Sequence, residues 1–201
     1  MNERRPDAPG TVVYDRAAIV IVLVILGVVV PARCDSRSEP SSDQQRTGAS
    51  ALSLPEFSLE TLDGKRITAA SLRGRVVLVN FWATWCPPCV EEVPYFQNQY
   101  EKWKDRGLVI LGIAEKQASG QGNRSDVRSF AEKHGVTYPL AMSNKTIRRT
   151  FWTHFGYRRK LPTSFLINRR GKLVQTFVGA VSPEQLQASV RPLLDDGSGG
   201  E

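Results

Sequence analysis

Val76-Val77-Leu78-Val79-Asn80-Phe81-Trp82-Ala83-Thr84-Trp85-Cys86-Pro87-Pro88-Cys89 is the stretch that decides how this chain folds. Residues 76–81 form a short apolar run rich in Val, the pattern of a strand buried on both faces. A helical pattern follows from about Pro88 to Asp105. A C-x-x-C pair therefore sits where a strand hands over to a helix. The first N–H groups of a helix lack intrahelical partners, and the macrodipole presents its positive end there. Both effects favour thiolate over thiol at Cys86. Lowering a thiol pKa from ~8.5 to ~7 raises the thiolate fraction at pH 7 from roughly 3% to about half. Cys86 is the outer residue and the expected nucleophile. Cys89, one turn in, is placed to attack a mixed disulfide and release the substrate. Pro87 and Pro88 offer no N–H, which the first helical turn does not need.

The same spacing is also half of a zinc site, and with one histidine it resembles a copper carrier. The other residues of the right type are Cys34, His134 and His154, with no partner spacing. No metal and no cofactor is expected. The chain has 3 cysteines, too few for a disulfide-stapled scaffold. One working pair and one distant outlier, in a strand–CxxC–helix context, points to a redox pair.

Working outward, Phe57-Ser58-Leu59 and Arg66-Ile67-Thr68 flank the turn dipeptide Asp63-Gly64, a leading β-hairpin. Leu108 to Ala114 is a second buried strand. Ser125 to His134 is a helix, with Ser125 as candidate cap, and a further helix starts at Asn144 or Thr146 and runs to Phe155. Ser164–Ile167 and Leu173–Val178 are strands joined at Asn168-Arg169-Arg170-Gly171. Ser182 and Gln185 have capping-box spacing around Pro183 and open the last helix. This order describes an α/β domain: a mixed central sheet with helices on both faces and an N-terminal hairpin. The domain is expected over 52–194, with a frayed tail over 195–201.

Before it, a short N-terminal segment (1–16) leads into an uncharged run over 17–32, and a polar tether follows over 33–51. The run is apolar on every face. As a helix it spans roughly 24 Å against about 30 Å of bilayer hydrocarbon. It reads as a signal anchor, as a cleaved signal peptide, or as the leader of a lipoprotein modified at Cys34, although Arg33 is larger than a lipobox favours. Arginines flank it on both sides, so charge leaves orientation open. The formal net charge is +7. The basic residues are scattered and no nucleic-acid module accompanies them, so no nucleic-acid partner is expected.

Phe81-Trp82-Ala83-Thr84-Trp85-Cys86-Pro87-Pro88-Cys89, followed by Glu92 and Pro94, resembles the membrane-attached thiol–disulfide oxidoreductases of the TlpA and ResA type, within the redoxin superfamily. Leu161-Pro162-Thr163-Ser164-Phe165-Leu166-Ile167-Asn168 and Gly171 are similar to their second signature. The resemblance covers about Leu54 to Leu194 and implies a thioredoxin-like fold. It implies a cis-proline at Pro162 facing the CxxC, with Trp85, Leu161 and Pro162 contacting substrate. It also implies an acidic residue near the buried cysteine for proton transfer, for which Glu115 is the candidate; Glu92 matches the family's C-x-x-E-x-P pattern. A basic set, Lys145, Arg148, Arg149, Arg158, Arg159 and Lys160, stands just before Pro162 as a solvated face or a docking surface.

The expected function is that of an exported, membrane-tethered oxidoreductase that reduces protein disulfides through a Cys86/Cys89 dithiol–disulfide cycle, its redox domain on the periplasmic or extracytoplasmic side of the cell membrane. Its partners are protein thiols and disulfides, with apocytochrome c among the family's substrates, and a membrane electron donor. The sequence leaves oligomeric state and the direction of electron flow open. A thiol peroxidase on the same fold is the main alternative. It needs Thr three residues before its cysteine, whereas Thr84 lies two before Cys86.

Overall fold

The computed structural model describes residues 52–196. The run over 17–32, the tether with Cys34, and 197–201 lie outside the described residues. Among the described residues, no helix is long and apolar enough to cross a membrane.

The chain opens with an antiparallel hairpin, β1 (Ser58–Glu60) and β2 (Arg66–Thr68). There follow β3 (Val76–Trp82), α1 (Pro87–Trp103), β4 (Leu108–Ala114), α2 (Arg124–Lys133), β5 (Leu140–Met142), α3 (Lys145–Phe155), β6 (Thr163–Ile167), β7 (Leu173–Val178) and α4 (Pro183–Asp195). The last five strands form one sheet in the order β5-β4-β3-β6-β7. β3 pairs with β4 and β4 with β5 in parallel; β3 pairs with β6 and β6 with β7 antiparallel. This is the mixed sheet that the element order implies.

β3 is central, and every one of its residues is buried. Its side chains alternate between two cores, as the two-residue period of a strand requires. Val76, Leu78 and Trp82 enter a core shared with Cys89, Val93 and Phe96 of α1, Val127 of α2, and Leu186 and Val190 of α4. Val77, Val79 and Phe81 enter the opposite core, built with Ile147 and Phe151 of α3 and Leu59 of the hairpin. Helices thus cover both faces of the sheet.

The caps follow the reading in two helices and correct it in a third. Asn144 caps α3, accepting from the Ile147 N–H at 2.9 Å. Ser182 and Gln185 form the capping box of α4. For α2 the cap is Asn123 rather than Ser125. Its side-chain oxygen accepts from the N–H groups of Ser125 and Asp126, and Asp126 reaches back to the Asn123 N–H. Asp126 stands three residues after Asn123 and completes the box, whereas the residue three after Ser125 is Arg128, which cannot accept. β5 escapes the sequence pattern altogether, because three residues carry no period.

Candidate active site

Between β3 and α1 the chain turns at Ala83–Cys86, where the Cys86 N–H donates to the Ala83 carbonyl at 3.2 Å. Cys86 is the N-cap of α1, with extended backbone. Its carbonyl accepts from the N–H groups of Cys89 at 3.0 Å and Val90 at 3.1 Å. The first helical turn therefore closes on the cysteine itself, and Pro87 and Pro88 fill positions where no N–H is needed. Cys86 and Cys89 are joined in a disulfide, their Cα atoms 5.3 Å apart. Cys89 has no exposed surface and Cys86 keeps 6%. An incoming sulfur meets the Cys86 end.

The Leu161–Pro162 peptide bond is cis. The next residue, Thr163, pairs with Phe81, one position before β3 ends. Sheet register thus brings Pro162 to the end of the sheet that carries the disulfide. Leu161 packs against the core that contains Cys86 and Cys89. Among the described residues, its N–H and C=O enter no backbone hydrogen bond. Trp85 is half-buried, and its ring lies over Gly122. A Cβ on Gly122 would stand 2.9 Å from Trp85 Nε1, and the residue's φ of +76° also demands glycine. The segment between β4 and α2 therefore forms a close wall against Trp85.

The structure redistributes the two acidic candidates. Glu115, one residue past β4, is buried, but it turns to the α3 face of the sheet. Its carboxylate accepts from Ser143 Oγ at 2.9 Å and Tyr157 Oη at 3.3 Å, and pairs with Arg148 at 3.3 Å. Tyr157 stacks on Phe81 in the core opposite the disulfide, and burial, then Glu115, push its hydroxyl pKa up. The strand period explains the misplacement: Ala114 joins the disulfide's core, so its neighbour faces away.

The acid on the disulfide's face is Glu92. It lies three residues after Cys89 in α1, and three-residue spacing puts two side chains on one helix face. Cys89, Glu92, Val93 and Phe96 are all buried along that stripe. Glu92 Oε1 accepts from Asn80 Nδ2 at 2.8 Å, and Oε2 accepts from the Val181 N–H at 3.2 Å. Asn80 also donates to Ser164 Oγ at 3.0 Å. Burial raises the Glu92 carboxyl to about 7, against the lowering effect of the donors from Val181 and Asn80. The signal for it in the sequence is an acid at helical spacing inside an otherwise apolar stripe. Among the described residues, no group of three or more His, Cys, Asp or Glu side chains is gathered as metal ligands.

The Redoxin sequence profile matches residues 49–191. The chain belongs to the Redoxin family. It is 31% identical over 177 residues to the thiol-disulfide oxidoreductase ResA of Bacillus thuringiensis (strain Al Hakam), covering 87% of this chain and 94% of that one. Against ResA of Bacillus subtilis (strain 168), identity is 32% over 174 residues, covering 86% and 88%. Among solved structures, a thiol:disulfide interchange protein of the thioredoxin family from Chlorobium tepidum TLS superposes with a TM-score of 0.66 at 33% identity. It covers 73% of this chain and 98% of that one. This Redoxin-family chain is a thioredoxin-like protein of the TlpA/ResA type, an oxidoreductase of the thiol–disulfide class.

In this family member burial favours the neutral form of Glu92 over the ionised one. The folded chain binds that proton more tightly than the unfolded chain, whose carboxyl has the ordinary value of 4.5. The stability so contributed is full below about pH 4.5 and is lost as pH rises through about 7, on the order of 3 kcal/mol in all. Glu92→Gln should remove this loss. Urea unfolding of the oxidised protein at pH 4.5 and pH 8 measures it. The wild type should lose more stability than the variant across that interval; equal losses would contradict the assignment.

Proposed function

We propose that this protein is an exported, membrane-tethered reductant of protein disulfides that works through a Cys86/Cys89 dithiol–disulfide cycle. The observation that carries the reading is a disulfide at the amino terminus of α1, with Cys89 fully buried and Cys86 keeping a little exposed surface, at the same sheet end as a cis-proline. In the reducing direction the Cys86 thiolate attacks a substrate disulfide. A mixed disulfide forms and one substrate thiolate leaves. The Cys89 thiolate then attacks the Cys86 sulfur and releases the second substrate thiolate. Two electrons pass to the substrate and the enzyme is left oxidised. A membrane dithiol donor returns it to the reduced state by the same exchange in reverse. Cys89 is fully buried, so its proton needs a local acceptor. Glu92, one helical turn away with a carboxyl near 7, is the group suited to that transfer. The vacant Leu161 backbone groups suit pairing with an extended substrate strand.

Exported proteins whose cysteines must stay reduced are the substrate class, apocytochrome c awaiting haem attachment among them. The uncharged run over 17–32 and the polar tether after it support attachment to the membrane, with the redox domain on the extracytoplasmic side. A reporter active only outside the cytoplasm, fused after Leu194, should give signal; one active only in the cytoplasm should stay silent. The opposite pattern would overturn the localisation.

Cys86→Ser should abolish insulin-disulfide reduction, a loss of at least about a hundredfold, because the accessible nucleophile is gone. Cys89→Ser should instead accumulate mixed disulfides with substrate, visible on non-reducing gels. Trapping by Cys86→Ser alone would reverse the roles. Peroxide consumption that survives in Cys89→Ser would favour the peroxidase alternative.

A further inference from the structure

The loop that leads into Pro162 forms one wall of a groove of about 530 Å³, and α3 forms the other. Its lining includes Lys145, Arg148, Arg149, Trp152, Tyr157 and Arg159, with no acidic side chain. The whole segment 145–160 contains no Asp or Glu. Glu115 meets the charge of Arg148 from beneath. Among the described residues, Lys145, Arg149 and Arg159 enter no ion pair. Trp152 is 56% exposed, and the Arg158 guanidinium lies 5.8 Å from its ring centre.

A solvated basic face is usually convex and lacks large apolar side chains. This one is concave and displays a tryptophan beside arginines, the side chains enriched at protein interfaces. It is also joined to the redox site through the chain. The groove's loop runs straight into Pro162, and Thr163 Oγ1, just past that proline, donates to the Lys160 carbonyl at 2.6 Å. Arg159 has a φ of +59°, an uncommon conformation for a residue with a side chain. Such outliers are kept where the surrounding structure imposes them, and they concentrate at binding sites.

We infer that this groove docks an acidic segment of the protein whose cysteines exchange with the Cys86–Cys89 pair. The inference rests on the exchange reading above and adds to it the chemistry of the partner. Arg159 precedes Pro162 by three residues, so at most about 11 Å of extended chain separates the two. A partner strand lying beside Leu161 brings acidic residues into the groove when they stand about three to five residues from its cysteine. Unneutralised cations there steer such a segment toward the disulfide, and salt screens the effect.

Stopped-flow reduction of three peptides by the reduced full-length protein tests this. The peptides share one disulfide and differ in flanks of Asp/Glu, Ser/Gln or Lys, each rate being normalised to that with dithiothreitol. At low ionic strength the acidic peptide should react about tenfold faster than the basic one, and the ratio should shrink below about threefold in 0.5 M NaCl. It should fall below one in Lys145→Glu/Arg149→Glu and take an intermediate value in Lys145→Gln/Arg149→Gln. The same charge change in Lys102→Glu/Lys133→Glu should preserve the preference. Equal wild-type rates for all peptides at low salt would overturn the groove while leaving the exchange reading intact. So would loss of preference in the Lys102/Lys133 variant, which would assign it to the general field of the molecule. Equal rates together with sedimentation on phosphatidylglycerol vesicles that the Lys145/Arg149 variant loses would make the groove a lipid face instead. No exchange with any peptide would overturn the redox reading itself.

Discussion

The burial of β3 on both faces is the constraint on which the rest of the structure depends. All its residues are withdrawn from water, so the strand has no freedom to shift register without moving a whole set of side chains to the wrong core. Its carboxyl end is thereby fixed, and so is the turn that caps α1 with Cys86. Pairing of Phe81 with Thr163 then sets Pro162 at the same end. The positions of the disulfide, of Pro162 and of the start of α1 all follow from one strand's placement. The chemistry needs this rigidity, because a thiolate stabilised by helix N–H groups is stabilised only while it stays at the helix end.

A buried polar chain ties the same elements together from inside. Asn80 on β3 donates to Glu92 on α1 and to Ser164 on β6, and Glu92 accepts from the backbone just before α4. Each member has a partner, which is the condition under which buried polar groups are tolerated. Among the described residues the carboxyl enters no ion pair, and burial outweighs its donors. It therefore changes charge near neutral pH, one turn from the buried cysteine. That position, away from solvent, is what suits it to the proton transfer proposed above.

Most of the architecture is legible in the sequence because it is written in local patterns: the Val-rich run of β3, the hairpin at Asp63-Gly64, the capping box at Ser182. The strand–CxxC–helix placement and the proline of the second signature are equally local. What the sequence hides depends on orientation across the sheet. Glu115 and Glu92 are both acids near buried strands, and only the alternation of β4 and the stripe of α1 tell which one shares a core with Cys89. The true cap of α2 needs the Asn123–Asp126 pairing rather than the nearest serine. β5 is held by its pairing with Gly112–Ala114 and has too few residues to announce itself.

The central claim is that Cys86, at the start of α1, is the activated nucleophile. Alkylation of the reduced protein by iodoacetamide, followed across pH with the labelled residue identified by mass spectrometry, tests it most directly. The account expects label on Cys86, with a reactivity midpoint clearly below the ~8.5 of a free cysteine, while Cys89 stays unlabelled in the folded protein. A midpoint at or above that of free cysteine, or label appearing first on Cys89, would contradict it.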